Sequence, residues 1–579
     1  GGLTLGGANS IATLGSLSAG SDIVLNDAQA LNLAGLVTTP GTLTLTDAAA
    51  VTEAGGAALS LGGLAGSVSG GLTLGGANSI ATLASLSAGG DMLIANIGTM
   101  TLNGPVSAGT SLALVTAGLL EGTGGSLAAG TIAIAPYNAG TLDLGGTAVA
   151  GLQLAQALVS AFDSHAVVII GAANGVQASS IYSEGNISFA NALVTLTSSG
   201  VLTQTGTLGG QGFDLAGSTM ALNGDISAGT FTADSTGGLS QSGTLSGTAV
   251  SLSGSSLGLD GSVEASTLSL QSAGAISQGA GAKLNAASLT GSAGTSIALG
   301  GTNSIASVTG LTAGSGIDLQ DAHGLAITGS VAAAQITLSA PTLSLAAPVS
   351  VAGVALLDSA GTLTQSAPLR AGTLTGSIGG DAVLSNGGNT IGTLADFSAG
   401  GTLALTDEGA LSQTGSVSAS AVTLSATAMN LGGNVSASSA LELASTGTLV
   451  QSGSLTGTDI SLSGSSLGLN GSITATTATL TATGAINQAG SAGLAASTLT
   501  GSAGASIALG GTNSIATLST LSAGGDIALN DAQSLTLAGL VTTPGTLTLT
   551  DGKAVGESAG SLVVGGLAGS IGGGLSLAN

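Results

Sequence analysis

The end of this chain repeats its beginning. Gly6-Gly7-Ala8-Asn9-Ser10-Ile11 returns as Gly510-Gly511-Thr512-Asn513-Ser514-Ile515, 504 residues later. Asp22, Asn26, Asp27, Pro40, Asp47 and Glu53 return at the same offset as Asp526, Asn530, Asp531, Pro544, Asp551 and Glu557. A chain that re-enters its own sequence is built by repetition, and each repeat buries its apolar face against the next. Two further offsets exist. SLSGSSLGLD at 251–260 recurs as SLSGSSLGLN at 461–470, a super-repeat of about 210 residues, and residues 1–19 recur at 70–88.

Beneath these lies a short period. A Leu/Ile-x-Gln motif places Gln204, Gln241 and Gln278 at steps of 37, and Gln413, Gln451 and Gln488 at steps of 38 and 37. Half of that step is one turn of a solenoid, so the spacing predicts irregular coils of about 18–20 residues. Within a coil, Leu43-Thr44-Leu45-Thr46 alternates as a strand with one buried face. Runs of three to five such residues end in Gly-Gly, Asn-Gly or Ser-Ala-Gly, which supply turn conformations. Asn-Gly at 103–104, 223–224 and 470–471 would by itself suggest antiparallel hairpins. A period near 19 with three short strands per turn instead stacks each motif on its copy in parallel, about 4.8 Å apart. The expected fold is all-β, a right-handed parallel β-helix, with an antiparallel sandwich array as the weaker alternative. Coils are expected over 1–130 and 191–579. Residues 131–190 break the pattern: they hold Tyr137, Tyr182, Phe162, Phe189 and His165, and helical spacing predicts a short helix at 152–162.

Composition narrows the function classes. Aromatic residues are 1% of 579, so the interior must be narrow. Mean hydropathy is +0.61, which argues against disorder, yet no apolar run reaches membrane-spanning length. Two Tyr and five Phe cannot furnish the aromatic girdles of an outer-membrane barrel. The net charge is −24 and the basic residues are Lys283, Arg370 and Lys553, so no basic face for nucleic acid or anionic lipid can be assembled. Absence of cysteine excludes disulfides and thiolate sites. The chain opens and closes within a repeat and reads as an excerpt of a longer polypeptide.

GGANSIATLGSLSAGSDIVLND (6–27), GGNTIGTLADFSAGGTLALTD (387–407) and the GxLTQxG-type coils resemble large bacterial exoproteins of the filamentous haemagglutinin type. IAPYNAGTLDLGG (134–146), followed by the helical piece and Val168-Ile169-Ile170-Gly171, is similar to a segment of such proteins. The resemblance implies a right-handed β-helix exported from a Gram-negative cell by two-partner or autotransporter routes. It also implies an extracellular or cell-surface role in adhesion, aggregation or biofilm.

Candidate sites each have a bland counterpart. Asn26-Asp27, Asp47, Asp321, Asp407, Asn530-Asp531 and Asp551 could bind Ca²⁺ if stacked, but the calcium nonapeptide is absent and solvated turn residues are expected. Asn9, Asn78, Asn303, Asn389 and Asn513, each in Asn-Ser/Thr-Ile, are expected as left-handed turn residues whose amides satisfy backbone groups. The six Gln of the Leu/Ile-x-Gln motif are expected to form amide ladders or surface stripes. Outward Thr42, Thr44, Thr46, Thr546, Thr548 and Thr550 suggest ice-binding solenoids, but Thr stretches separated by Asp, Gln and Gly motifs count against that. Asp163-Ser164-His165 is adjacent in sequence and not a spatial triad; His165 and His323 are expected at the surface.

No catalytic, cofactor-binding or metal-binding residue is therefore assigned, and no enzyme activity is expected. The expected function is an extracellular non-enzymatic adhesin or exoprotein whose rigid stalk supports attachment to a host or neighbouring cell surface or to matrix polysaccharide. The alternative is a subunit of an extracellular filament, with the chain partnering itself end to end or laterally.

Overall fold

A computed structural model describes residues 1–146 and 150–577, so 147–149 of the irregular segment and 578–579 lie outside the described residues. The chain divides into two units, Gly1–Gly294 and Thr295–Asn579. Each is a parallel β-solenoid.

In the first unit a coil runs through Ile23–Asp27, Leu31–Leu33 and the start of Leu36–Asp47. The next coil lays its strands on these in parallel: Ile23 stands beside Leu43, Leu31 beside Val51, and Val37 beside Leu59. Alternation sets what lies inside. Leu43 and Leu45 are 2% and 1% exposed, while Thr44 and Thr46 face outward. Like side chains then stack in columns, as in Phe213, Phe231, Val250, Leu268 and Leu289, at steps of 18, 19, 18 and 21 residues. The second unit does the same with Leu405, Leu424, Leu443, Leu462 and Leu480, each at most 1% exposed. A column of this kind buries its apolar surface against the coils on either side, so neighbours stabilise one another.

The repeated segments 1–19 and 70–88 do not occupy the same face. Leu3 heads the column Ile23, Leu43, Leu64, Leu83. Its repeat Leu72 stands in the column Leu31, Val51, Met92. Both copies nevertheless form the same local contacts, with Asn9 beside Asp27 and Asn78 beside Asn96.

The segment 131–190 is less foreign than its composition suggests. Thr131–Pro136, Thr141–Leu144, Val167–Ile170 and Ser180–Ser183 all pair in the solenoid sheets. The helix expected over 152–162 is confined to Gln156–Val159, and Leu152–Leu154 is a strand paired with Leu142–Leu144. Leu152 and Leu154 are buried by strand alternation; at three residues that pattern overlaps helical spacing. Outside the solenoid, Ala172–Ala173 and Val176–Gln177 form an antiparallel hairpin. Its turn is Asn174-Gly175, with φ of 49° and 75°, the doubly left-handed geometry that tight hairpins need. The hairpin and Tyr137 cover the outer faces of Leu93, Ala113 and Ala133 and make a small second core around Ala95, Val115, Ala135 and Ala173.

Candidate functional site

The chemistry-bearing side chains converge inside the solenoid corners. Asn389 shows the pattern. Its Nδ2 donates to the carbonyls of Leu384 at 2.9 Å and Thr406 at 3.0 Å, and its Oδ1 accepts from the Leu369 N–H at 2.8 Å. Asn513 repeats this with Leu509, Asn530 and Leu494 at 3.0, 2.9 and 3.0 Å. Asn78, Asn303, Asn389 and Asn513 are at most 1% exposed, and none of them has positive φ. The left-handed turn geometry expected for these residues is therefore corrected. Asn78 and Asn513 sit within strands and Asn303 and Asn389 immediately before one, and the amide reaches sideways to backbone groups that the corner leaves unpaired.

A partner from the preceding coil braces Asn78, Asn389 and Asn513. Gln365 and Gln488 exchange amide hydrogen bonds with Asn389 and Asn513, and Glu53 accepts from Asn78 Nδ2 at 3.0 Å. A partner from the following coil completes the set. The N–H groups of Ile11, Ile305, Ile391 and Ile515 donate to Asp27, Asp321, Asp407 and Asp531 at 2.8, 2.6, 2.8 and 2.9 Å. Asn96 takes this place after Asn78, accepting from Ile80 at 2.7 Å.

Contrary to the expectation from sequence, these aspartates are not solvated, although Asp47, Asp321 and Asp551 accept from the backbone N–H two residues on, as turn residues do. Asp27, Asp47, Asp321, Asp407, Asp531 and Asp551 are between 1% and 7% exposed. Burial is the largest effect on Asp47, Asp321, Asp407 and Asp531 and pushes each carboxyl up, Asp531 to about 6. Backbone N–H donors oppose the shift without cancelling it. The carboxylates do not assemble a cation cage: among the described residues no three His, Asp or Glu side chains converge.

Gln204, Gln241, Gln413 and Gln451 form a second set and are fully buried. Each side chain donates to the carbonyl of the glycine two residues on, and Gln204 and Gln413 accept from the N–H of Gly224 and Gly433 at 3.0 Å. They are not surface stripes, and they do not stack on one another. Gln204 stands beside Leu222, Leu222 beside Gln241, and Gln241 beside Leu259. The step of 37 is thus two coils, with amide and leucine alternating at one corner.

Outside the core, an open recess of about 260 Å³ lies between the Gln156–Val159 turn and Ser188–Ala192. Gln156 ties the two together, accepting from the Ser188 N–H at 2.7 Å. At its edge Ser164 Oγ and Asp163 Oδ1 lie 3.3 and 3.4 Å from the same nitrogen, Nδ1 of His165. A triad needs serine and carboxylate on opposite ring nitrogens, and the His165 side chain is 89% exposed.

Thr44 is flanked by Val24 and Ala65 and Thr548 by Ala528 and Ala568, so neither belongs to a threonine ladder. A ladder does form elsewhere, where the sequence reading did not place one. Thr477, Thr479 and Thr481 stand beside Thr498, Thr500 and Ser502, with Asp459, Ser461 and Ser463 on one side and Thr517, Thr520 and Ser522 on the other. This face of four coils presents eleven hydroxyl residues and one carboxylate, at about 4.8 Å between coils.

Fold and site together define a parallel β-solenoid whose buried polar side chains brace its corners. Compared with family models, curated proteins and solved structures, the chain matches none.

Proposed function

We propose that this chain is part of an extracellular, non-enzymatic adhesin whose β-helical stalk holds a hydroxyl-rich binding face against a cell surface or matrix polysaccharide. The observation that carries the reading is the hydroxyl face over 459–522. Ser and Thr hydroxyls each donate and accept, and a polysaccharide presents the same capacity in return. The strand ladders beneath fix the spacing before any ligand arrives, which lowers the ordering cost of binding. The resemblance of the coil sequences to filamentous haemagglutinin-type exoproteins supports the same reading.

The test is binding of the purified chain to insoluble and soluble polysaccharides and to bacterial and host cell surfaces. Thr479→Lys and Thr500→Lys should weaken binding at least tenfold with unchanged circular dichroism. Equal binding by the variants would overturn the assignment of this face. A thermal-hysteresis assay separates the reading from ordering of water as ice: hysteresis abolished by Thr479→Lys would replace it.

A further inference from the structure

Two corners of the molecule bury a pair of carboxylates one coil apart. Asp27 stands beside Asp47 in the first unit, and Asp531 beside Asp551 in the second. All four are at most 3% exposed. One oxygen of each is satisfied. Oδ1 of Asp27 and Asp47 accepts from Ile11 and Ala49 at 2.8 and 2.7 Å, and Oδ1 of Asp531 and Asp551 from Ile515 and Lys553 at 2.9 and 2.6 Å. The other oxygen, Oδ2, is buried in all four and accepts no hydrogen bond.

No opposite charge faces either pair. The strands stacked around the first are Leu3–Asn9, Ile23–Asp27, Leu36–Asp47 and Ala58–Val68, and their ionisable residues are Asp27 and Asp47 alone. The adjoining turns and strand carry Asp22 and Glu53, both acidic. Around the second, Ile507–Ala523, Ile527–Asp531, Leu540–Asp551 and Ser561–Ile571 hold only Asp531 and Asp551. Asp526 and Glu557 lie nearby in sequence, and Lys553 is an exposed residue that meets Asp551 through its backbone N–H. Two buried anions at strand spacing with unsatisfied oxygens are strongly disfavoured when both are ionised.

We propose that each pair holds one proton shared between its two Oδ2 atoms, and that releasing this proton to solvent at higher pH loosens the corner. One Asp of the pair then donates O–H to the carboxylate of the other, and both orphan oxygens are satisfied by one hydrogen bond. The direction of titration agrees. Burial first, and the partner's charge in addition, raise Asp47 and raise Asp531 to about 6. A carboxyl whose pKa is raised on folding binds its proton more tightly in the folded state. The stabilisation of the second pair is complete below the ordinary value of 3.8 and is lost as pH rises towards about 6, and that of the first pair is lost in the same direction. The chain contains its own control: at Asn78 and Asn96 the same corner is built with an amide in place of the first aspartate and Thr116 in place of the second.

Hydrogen exchange of the full chain, corrected for intrinsic rates, tests this between about pH 4 and pH 7. Protection of 527–553 should fall with rising pH by up to about a hundredfold and that of 23–49 should fall in the same direction, while Met92–Leu102 stays level. Asp47→Asn and Asp551→Asn should flatten the profile of their own corners. A level profile in the parent, or an unchanged slope in both variants, would overturn the proposal. So would recovery of protection at high pH by millimolar Ca²⁺, which would place a cation where the proton is put. Should the variants fail to fold, infrared spectroscopy of the parent decides. Protonated carboxyls should persist above about pH 5, well past the ordinary aspartate range, and their absence refutes the sharing.

Discussion

At the scale of single residues, the corner asparagines hold neighbouring coils together through hydrogen bonds rather than apolar packing. Asn389 satisfies two carbonyls and one N–H in places that water does not reach. Asn389→Ala leaves all three unpaired, and each such group costs about 1–3 kcal/mol. The expected loss is therefore about 3 kcal/mol or more, read as reduced exchange protection over 384–407. Little of this was legible in sequence. Asn and Asp beside Gly are turn residues by composition, and the partners here that tie one coil to another lie sixteen to twenty-five positions away. A signal did exist: Asp follows Asn by 18 residues at 9 and 27, 303 and 321, 389 and 407, and 513 and 531. That recurrence, one coil long, marks a contact between stacked corners.

At the scale of elements, the inward strands were the readable part. Leu43 and Leu45 are buried as their alternation with Thr44 and Thr46 implies, because period two has one reading once parallel stacking is assumed. Turns were harder. Asn103-Gly104, Asn223-Gly224 and Asn470-Gly471 turn corners, while Asn174-Gly175 alone among these closes a hairpin. The dipeptide is identical; what differs is whether the flanking strands find partners in neighbouring coils. Gly175→Val would force a β-branched residue into a φ of +75°, a strain of about 1–2 kcal/mol. Exchange over 172–178 should rise while 92–96, in the sheet beneath, stays protected. Deprotection of both would show that the hairpin supports the solenoid rather than resting on it.

At the scale of the whole molecule, two features set how it responds to its surroundings. The first is the local character of stability. Leu45→Asp puts an unpaired charge where a 1% exposed leucine stood. The coils on either side should become protease-sensitive, whereas coils several turns away in the same unit keep the parent's resistance. The second is charge. A net −24 has almost no internal compensation, since three Lys and Arg stand against 27 Asp and Glu. Salt should therefore stabilise by screening self-repulsion. The urea midpoint is expected to rise from about 10 mM to about 0.5 M NaCl, and a fall would mean that attractive pairs dominate.

The two homes of one segment have a consequence for how such a gene can grow. Leu3 and Leu72 belong to identical stretches but to different columns, so the same peptide is read on either of two faces. A recombination event therefore does not have to insert a whole number of turns to leave a foldable product. A third of a turn is enough, provided that the new corner meets its neighbours.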